Sequence, residues 1–260
     1  EALASVSSTT VETASNGTTS QWIDSLVVRL ADRNGVAIPT TNRTSGRRDQ
    51  IAGGYVHEVE PGVKNWVAVL DFKSMYPSIM ISNNICSTTL IREGEKDPSH
   101  FISPVTETRY LSKEDRVGLV PLLLQGLMDS RDKYKKAYAQ AIEKGDEDEA
   151  FLNDQLQYAV KILMNSFYGV FASSFYRFTH EKLGASITEW ARYNITEIIS
   201  NLEKDGYDVV YSDTDSIFVC TRTEENTPAK KPVEGPELLA WENAKDETVK
   251  LGKHLANQFT

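Results

Sequence analysis

The sequence has few of the features that mark secreted, zinc-binding or membrane proteins. Only two cysteines occur, Cys86 and Cys220, and no CxxC pair is present, so neither a disulfide framework nor a zinc site is expected. No apolar run reaches the roughly 18 residues that a membrane span needs. The start, EALASVSSTT, lacks a basic stretch followed by an apolar one, so it is not a secretory signal. A reducing, intracellular setting is therefore expected.

An excess of positive charge is also missing. The 28 Lys and Arg residues stand against 37 Asp and Glu, for a net charge of -9, which argues mildly against nucleic-acid binding. The distribution of charge matters more than its sum, however. Apolar residues make up 40% and charged residues 25%, an ordinary globular composition. The chain begins without Met and ends in a helix-like segment, KLGKHLANQFT, so we expect both ends to lie within a longer protein.

The first third of the chain contains one clear helical pattern. Residues 1–20 are rich in Ser and Thr, and this composition is typical of a linker. Apolar residues at helical spacing then predict a helix that begins near Gln21 and is stopped by Asn34-Gly35. Residues 39–50 are expected to form a loop. Gly53, Gly54 and Tyr55 follow, and they predict a turn or a close approach of another backbone.

The middle of the chain predicts a buried strand and a helical hairpin. The apolar run at 66–72 favours a buried strand, and Asp71 lies at its end. Helices are predicted at 121–144, which opens with Pro121, and at 148–168, which Gly169 should close. Their short polar link predicts that they run antiparallel.

The last third predicts a helix, a β-hairpin and a final helix. The first helix should span 186–204 and stop at Gly206. The segment YDVVYSDTDSIFVCT has two β-rich runs around Ser-Asp-Thr-Asp and predicts a hairpin with carboxylates at its tip. Residues 222–236 are expected to form a loop, and a helix should begin near 237.

Three aspartates lie where predicted strands end. Asp71 follows a strand, and Asp213 and Asp215 lie on a tight turn. Buried carboxylates are usually paired or bound to metal. Oxygen ligands suit magnesium, and two ions about 4 Å apart can stabilise both oxygens of a phosphoryl displacement. The alternative is that Asp213 and Asp215 are ordinary turn residues, and the D-x-D spacing alone favours it.

The predicted helical hairpin carries cations on facing helices. Lys161, Asn165 and Tyr168 share one helix face, and Arg131 and Lys135 share a face of the other helix. Arg131 and Lys161 should lie at the same level, so the cations could converge on one anion such as a triphosphate. The alternatives are a solvated charged face for the cations and core packing for Tyr168.

Three segments in order resemble the polymerase motifs of family B DNA polymerases. DFKSMYPSIM (71–80) resembles the first, D-x-x-S-L-Y-P-S, and KILMNSFYG (161–169) resembles the second, K-x-x-x-N-S-x-Y-G. YSDTDS (211–216) resembles the third, Y-G-D-T-D-S, with Ser212 where the family usually has Gly. The resemblance extends over most of the chain from about residue 21 and is closest to archaeal and related cellular enzymes.

This resemblance implies roles for individual residues. Asp71 and Asp215 would bind both catalytic metals, with the Phe72 carbonyl helping and Asp213 as a third acidic group. The nucleotide-binding set would be Ser74, Met75, Tyr76, Arg131, Lys135, Lys161, Asn165 and Tyr168. Within that set, Tyr76 would lie under the sugar and exclude a 2′-hydroxyl. The DNA-binding set would be Gly53, Gly54, Tyr55, Gly169 and Thr214.

The resemblance also implies an α+β fold class. A palm with an antiparallel β-sheet packed by helices would carry a fingers subdomain made of the antiparallel helical hairpin. Residues 1–64 would join an exonuclease region outside the chain to the palm. The palm would comprise 65–118 and 171–260, ending before the thumb, and the fingers 119–170.

The implied function is that of a DNA-directed DNA polymerase catalytic core. It would add dNTPs to a primer 3′-hydroxyl on a template by two-metal phosphoryl transfer with two Mg²⁺ ions, releasing pyrophosphate. Its partners would be primer-template DNA, dNTPs and, through regions outside the chain, a sliding clamp; no membrane is expected. The location would be cytoplasmic and nucleoid-associated if the source is prokaryotic. Without a thumb, the chain alone is not expected to be active. A two-metal nuclease and an inactive polymerase-derived binding module are the alternatives.

Overall fold

The computed structural model of the chain describes residues 1–40, 53–58, 62–92, 94, 100–173, 176–221 and 230–259. The chain divides into two units: the first comprises Glu1–Ala52 and Ser74–Trp190, and the second comprises Gly53–Lys73 and Ala191–Thr260. Helices and small antiparallel sheets together confirm the predicted α+β class. Within the described ranges, no helix is both long and apolar enough to cross a bilayer.

The first unit is mainly helical. Its elements are α1 (Ala2–Ser7), α2 (Val11–Asn16), α3 (Thr19–Arg33), α4 (Met75–Ser82), β2 (His100–Ile102), β3 (Arg109–Leu111), α5 (Leu119–Lys144), α6 (Glu147–Phe171) and the first part of α7 (Glu181–Lys204). Strands β2 and β3 pair antiparallel. Helices α1, α3 and α4 pack against the α5–α6 pair.

The Ser/Thr-rich start is helical, so the linker prediction is wrong. The hydroxyls that suggested a linker cap helices instead. The Thr10 side chain accepts a hydrogen bond from the Thr13 amide, and Thr18 forms a capping box with Gln21 at the start of α3. The buried residues Ala4 and Ser7 anchor α1. Of the predicted loop at 39–50, everything after residue 40 lies outside the described residues, and so do 222–229 of the predicted loop at 222–236.

The helical hairpin forms as predicted, with three of its four boundaries displaced by one to three residues. Gly145 ends α5 in the left-handed conformation at φ 72°, and the Asp146 side chain caps α6 by accepting from the Glu149 amide. Helix α6 does not stop at Gly169 but continues to Phe171. The Phe167 and Phe171 rings pack against each other, with centroids 5.9 Å apart, and both are buried. Burial of this apolar face therefore outweighs the helix-breaking tendency of Gly169.

A single buried side chain fixes the segment that enters α5. Asn84 donates through Nδ2 to the carbonyls of Leu111 and Arg116, at 2.7 and 2.8 Å, and accepts through Oδ1 from the Gly118 amide at 2.9 Å. Gly118 is the residue just before α5. Asn84 therefore holds the base of the helical hairpin to the unit's core.

The second unit is a three-stranded antiparallel sheet in the order β1–β5–β4. Its elements are β1 (Val67–Asp71), the last part of α7, β4 (Asp208–Asp213), β5 (Ser216–Cys220) and α8 (Pro236–Gln258). Buried Ala68, Ile217 and Val219 alternate with more exposed residues, and α8 packs on β1 near Ala68. A β-bulge between Val209 and Tyr211 interrupts the pairing of β4 with β5.

Candidate functional site

The sheet register brings two of the predicted aspartates into one cross-strand row. Asp71 at the end of β1 pairs with Ser216 of β5, and Asp213 at the end of β4 pairs with the same Ser216. Directly paired residues of neighbouring strands point to the same face of a sheet. The row Asp71, Ser216, Asp213 therefore presents two carboxylates on one face, with a hydroxyl between them.

The turn that joins β4 to β5 carries the third aspartate back toward β1. The Asp215 amide donates to the Asp213 carbonyl at 2.6 Å, and the Asp215 carbonyl accepts from the Phe72 amide at 2.9 Å. This second bond ties the hairpin tip to the residue after Asp71. Asp71, Phe72, Asp213 and Asp215, the four predicted metal ligands, thus lie at one end of one sheet.

The pKa of the Asp215 carboxyl responds to the charges of the other two aspartates. The pKa of Asp215 is raised, first by partial burial and then by the negative charges of Asp71 and Asp213, against a lowering hydrogen bond. Burial and like charge both disfavour the ionised form. A cation at this end of the sheet would offset that repulsion, so the oxygen-only set fits a divalent ion such as Mg²⁺.

The carboxylates do not form a closed metal cage. In the described part of the chain, no three or more His, Cys, Asp or Glu side chains group closely enough to hold an ion by themselves. Mg²⁺ does not require such a group, because it usually keeps several waters and takes one or two carboxylates plus substrate phosphates. The set therefore fits an open site rather than a closed structural one.

The backbone at the hairpin tip is strained. Thr214 has φ 53°, a left-handed conformation that is rare for a β-branched residue and typically costs about 1–3 kcal/mol. Its amide donates to the Tyr55 carbonyl at 2.9 Å, and its hydroxyl donates to Asp213 Oδ1 at 3.0 Å. The predicted DNA-binding residue Thr214 thus contacts one of the predicted metal ligands directly.

The two residues that follow Gly53–Tyr55 pair with the end of β4. Val56 forms an antiparallel bridge with Asp213, and the His57 amide donates to the Ser212 carbonyl at 2.9 Å. The Arg192 guanidinium donates to the Gly53 carbonyl at 2.7 Å. The predicted close approach of another backbone is made by Tyr55, whose carbonyl accepts from the Thr214 amide, whereas Gly54 faces the Thr214 side chain.

The predicted phosphate-binding side chains lie on the helical hairpin of the first unit. Arg131 is 13 residues before the end of α5 and Lys161 is 14 residues after the start of α6. With a rise of about 1.5 Å per residue in antiparallel helices, the two residues lie at nearly the same level. Lys135, Lys161 and Asn165 are exposed. Arg131 is partly covered, and its Nε is buried with no hydrogen-bond partner among the described residues.

The two predicted nucleotide-binding tyrosines are stacked. Tyr76 on α4 and Tyr168 on α6 have ring centroids 4.4 Å apart at an interplanar angle of 26°. Ser74, just before α4, has φ 52°, whereas the Met75 side chain is buried in the core. Gly169, the remaining predicted DNA-binding residue, is exposed on α6.

Sequence reasoning did not assign roles to Ser216 and Arg192. Ser216 separates Asp71 from Asp213, and its hydroxyl donates to the Asp213 carbonyl at 3.2 Å. The hairpin pattern itself could have found it, because residues that flank a two-residue turn face each other across the strands. Arg192 lies far from its partner Gly53 in sequence, and no local signal joins them.

Comparisons with known proteins agree with these motifs. The sequence profile of the family described as DNA polymerase family B matches residues 9–234. The chain is 35% identical to a DNA polymerase of Thermococcus gorgonarius over 90% of its own length and 29% of that protein's. It is 36% identical to a DNA polymerase of Desulfurococcus sp. (strain Tok) over 80% of its length and 26% of that protein's.

A solved structure shows the same fold. The family B DNA polymerase of the hyperthermophilic archaeon Pyrobaculum calidifontis superimposes with a TM-score of 0.69 and 23% identity, over 99% of this chain and 40% of that one. The chain therefore spans under a third of the length of the two curated relatives it matches.

Proposed function

The chain belongs to DNA polymerase family B, and on that premise we propose that it carries the catalytic centre for template-directed addition of deoxynucleotides to a primer 3′-hydroxyl. The observation that carries the proposal is the placement of Asp71, Asp213 and Asp215 at one end of the sheet. The proposed substrates are dNTPs and primer-template DNA, and the reaction releases pyrophosphate.

The aspartates would provide the negative charge of the centre. Asp71, Asp215 and the Phe72 carbonyl would hold Mg²⁺, with Asp213 beside them. Two bound Mg²⁺ ions would supply Lewis-acid stabilisation of the attacking and leaving oxygens. The bond from the Phe72 amide to the Asp215 carbonyl keeps the two carboxylate-bearing segments together, so their charges are preorganised before substrate binds.

The helical hairpin would supply the opposite charge. Arg131 and Lys161 lie level on neighbouring helices, and Lys135 is one turn from Arg131. A guanidinium forks onto phosphate oxygens and an ammonium adds a point charge, so this set suits a triphosphate. The buried Nε of Arg131, which lacks a partner in the described residues, is a donor that bound phosphate could satisfy.

The stacked tyrosines would select the sugar. Tyr76 would pack under the deoxyribose and exclude a 2′-hydroxyl, and its contact with Tyr168 would hold the ring in place.

The chain alone is not expected to extend a primer, because it spans under a third of the length of the two curated relatives described above.

Carboxylate substitutions test the proposal in the protein at its natural length. Asp71→Asn or Asp215→Asn should lower primer extension by roughly a thousandfold or more, because each removes a proposed metal ligand. Asp208→Asn is the matched control, since Asp208 lies at the other end of β4 and pairs with Lys64 at 3.2 Å.

The outcomes separate the alternatives. Near-normal extension by Asp71→Asn would overturn the assignment of Asp71 as a ligand of the catalytic metals. If the unchanged protein degrades DNA with Mg²⁺ but adds no nucleotide, a two-metal nuclease replaces the polymerase assignment. If it does neither and binds DNA, the chain belongs to an inactive binding module.

A further inference from the structure

The conformation of the hairpin tip depends on a residue outside the hairpin. Thr214 lies between the two turn aspartates and has φ 53°. Because a left-handed β-branched residue is unfavourable in isolation, surrounding contacts must hold it there. Those contacts come from the Gly53–Tyr55 segment and from Asp213.

Gly54 touches the Thr214 side chain directly. A Cβ added at Gly54 would lie 2.8 Å from Thr214 Oγ1, 3.0 Å from Cγ2 and 3.2 Å from Cβ. The contact with Oγ1 is shorter than real Cβ atoms make, and the contacts with Cγ2 and Cβ are tight. Either the Thr214 side chain or the Gly53–Tyr55 segment would therefore have to move. By contrast, a Cβ at Gly53 or Gly62 would meet nothing within 4 Å.

The contact continues to the carboxylates. The Tyr55 carbonyl accepts from the Thr214 amide, and the Thr214 hydroxyl donates to Asp213 Oδ1. The next residue, Asp215, is bonded through its carbonyl to the Phe72 amide. A displacement of Thr214 would therefore move both Asp213 and Asp215.

We propose that Gly54 is a positioning residue for the proposed metal-binding turn: its lack of a side chain admits Thr214, which in turn sets the directions of the Asp213 and Asp215 carboxylates. This inference rests on the proposed function only in naming the turn's ligand as a divalent cation. Gly54 acts through Thr214 and does not itself contact the cation. The family resemblance implied a DNA contact for this glycine, and the proposed positioning role is a separate one.

A double-mutant cycle tests this coupling in the protein at its natural length. The variants are Gly54→Ala, Thr214→Gly and the pair together, with Gly62→Ala as the matched control. Thr214→Gly removes all three atoms that the new Cβ would meet and accepts a positive φ without strain. Two quantities are measured for each variant: Mn²⁺ affinity by electron paramagnetic resonance, and primer extension as a function of Mg²⁺ concentration.

Gly54→Ala should weaken Mn²⁺ binding and raise the Mg²⁺ concentration for half-maximal extension, each by roughly tenfold or more, since small displacements of a catalytic group have effects of this size. Its dissociation constant for primer-template DNA should change far less. In the Thr214→Gly background the same Gly54→Ala change should have little further effect on either quantity. Gly62→Ala should match the unchanged protein.

Two results would overturn the proposal. One is an effect of Gly54→Ala that is equally large with and without the Thr214 side chain. The other is a loss confined to DNA affinity, which would leave Gly54 as a DNA contact only. If Gly54→Ala fails to fold, Thr214→Gly should restore folding, and no restoration would also count against the coupling.

The cycle also separates this inference from the polymerase assignment. If the unchanged protein extends no primer, the assignment fails, but the Mn²⁺ measurements still report whether Gly54 and Thr214 are coupled. If the unchanged protein extends primers and the cycle shows no coupling, only the positioning role fails.

Discussion

Removing the Tyr168 ring should weaken discrimination against ribonucleotides, although the proposed gate residue, Tyr76, is itself unchanged. The rings stack with centroids 4.4 Å apart at 26°, so each restricts the other. Aromatic pairs contribute about 0.5–1.5 kcal/mol beyond the area they bury. If that energy holds Tyr76 in its working position, Tyr168→Leu should lower discrimination against ribonucleotides by about 2- to 12-fold.

The assay is single-nucleotide incorporation by the protein at its natural length. The ratio of kcat/KM for a dNTP to that for the matching rNTP measures discrimination in each variant. Tyr168→Phe keeps the ring and should keep the ratio. Tyr158→Leu makes the same change on the same helix at a side chain that is 54% exposed, so it controls for the helix substitution itself.

Non-additivity is the decisive result. Tyr76→Ala should raise ribonucleotide use by itself, and adding Tyr168→Leu should then have little further effect, because its partner is gone. If Tyr168→Leu discriminates as well as the unchanged protein while Tyr76→Ala does not, the stack has no part in selection. Unchanged discrimination in Tyr76→Ala would refute the gate itself.

Three further expectations concern stability, each measured by denaturant unfolding. Ser212→Ala should raise the unfolding free energy by about 1 kcal/mol, because the buried Ser212 hydroxyl has no partner among the described residues; a decrease would show that it is bonded. Gly126→Ala, mid-helix with open space around it, should stabilise by about 0.5–1 kcal/mol, whereas Gly145→Ala, at φ 72°, should destabilise by about 1 kcal/mol; effects of the same sign would contradict this. Asp215→Asn should stabilise the metal-free protein by about 0.5 kcal/mol through lost repulsion and abolish the stabilisation that added Mg²⁺ gives; Mg²⁺ stabilisation that persists would remove Asp215 from the site.

Local signals predicted the elements whose ends are set by local chemistry. Gly145 and the polar link after it marked the helical turn, and the structure has both there. The β-rich runs around Asp213 and Asp215 predicted the hairpin correctly. The α+β class was implied by the family resemblance, and it is confirmed.

Features set by tertiary contact escaped prediction. Gly169 looks like a helix stop, but Phe171 is buried beyond it and extends α6. Thr10 and Thr18 belong to a segment with the composition of a linker, yet their side chains cap α2 and α3, and α3 buries an apolar face. Helix α4 and the β2–β3 pair were not predicted at all, since short elements give too little periodicity to detect.

The candidate site, too, could be predicted only in part from the sequence. The aspartates and cations could be proposed from motifs, and their roles stay predictions. Three contacts could not be proposed, because each joins residues far apart in sequence. They are the Tyr76–Tyr168 stack, the Gly54–Thr214 contact and the pairing of Asp71 with Ser216.

The β-bulge in β4 fixes the strand register that places Asp213 in one row with Asp71. Side chains alternate between the two faces of a sheet, so a slip of one residue in β4 would turn Asp213 to the buried face and bring Ser212 into the row. The bulge between Val209 and Tyr211 opposes such a slip, because an extra residue fits only one pairing. A single-residue insertion or deletion between the bulge and the turn should therefore eliminate the site entirely.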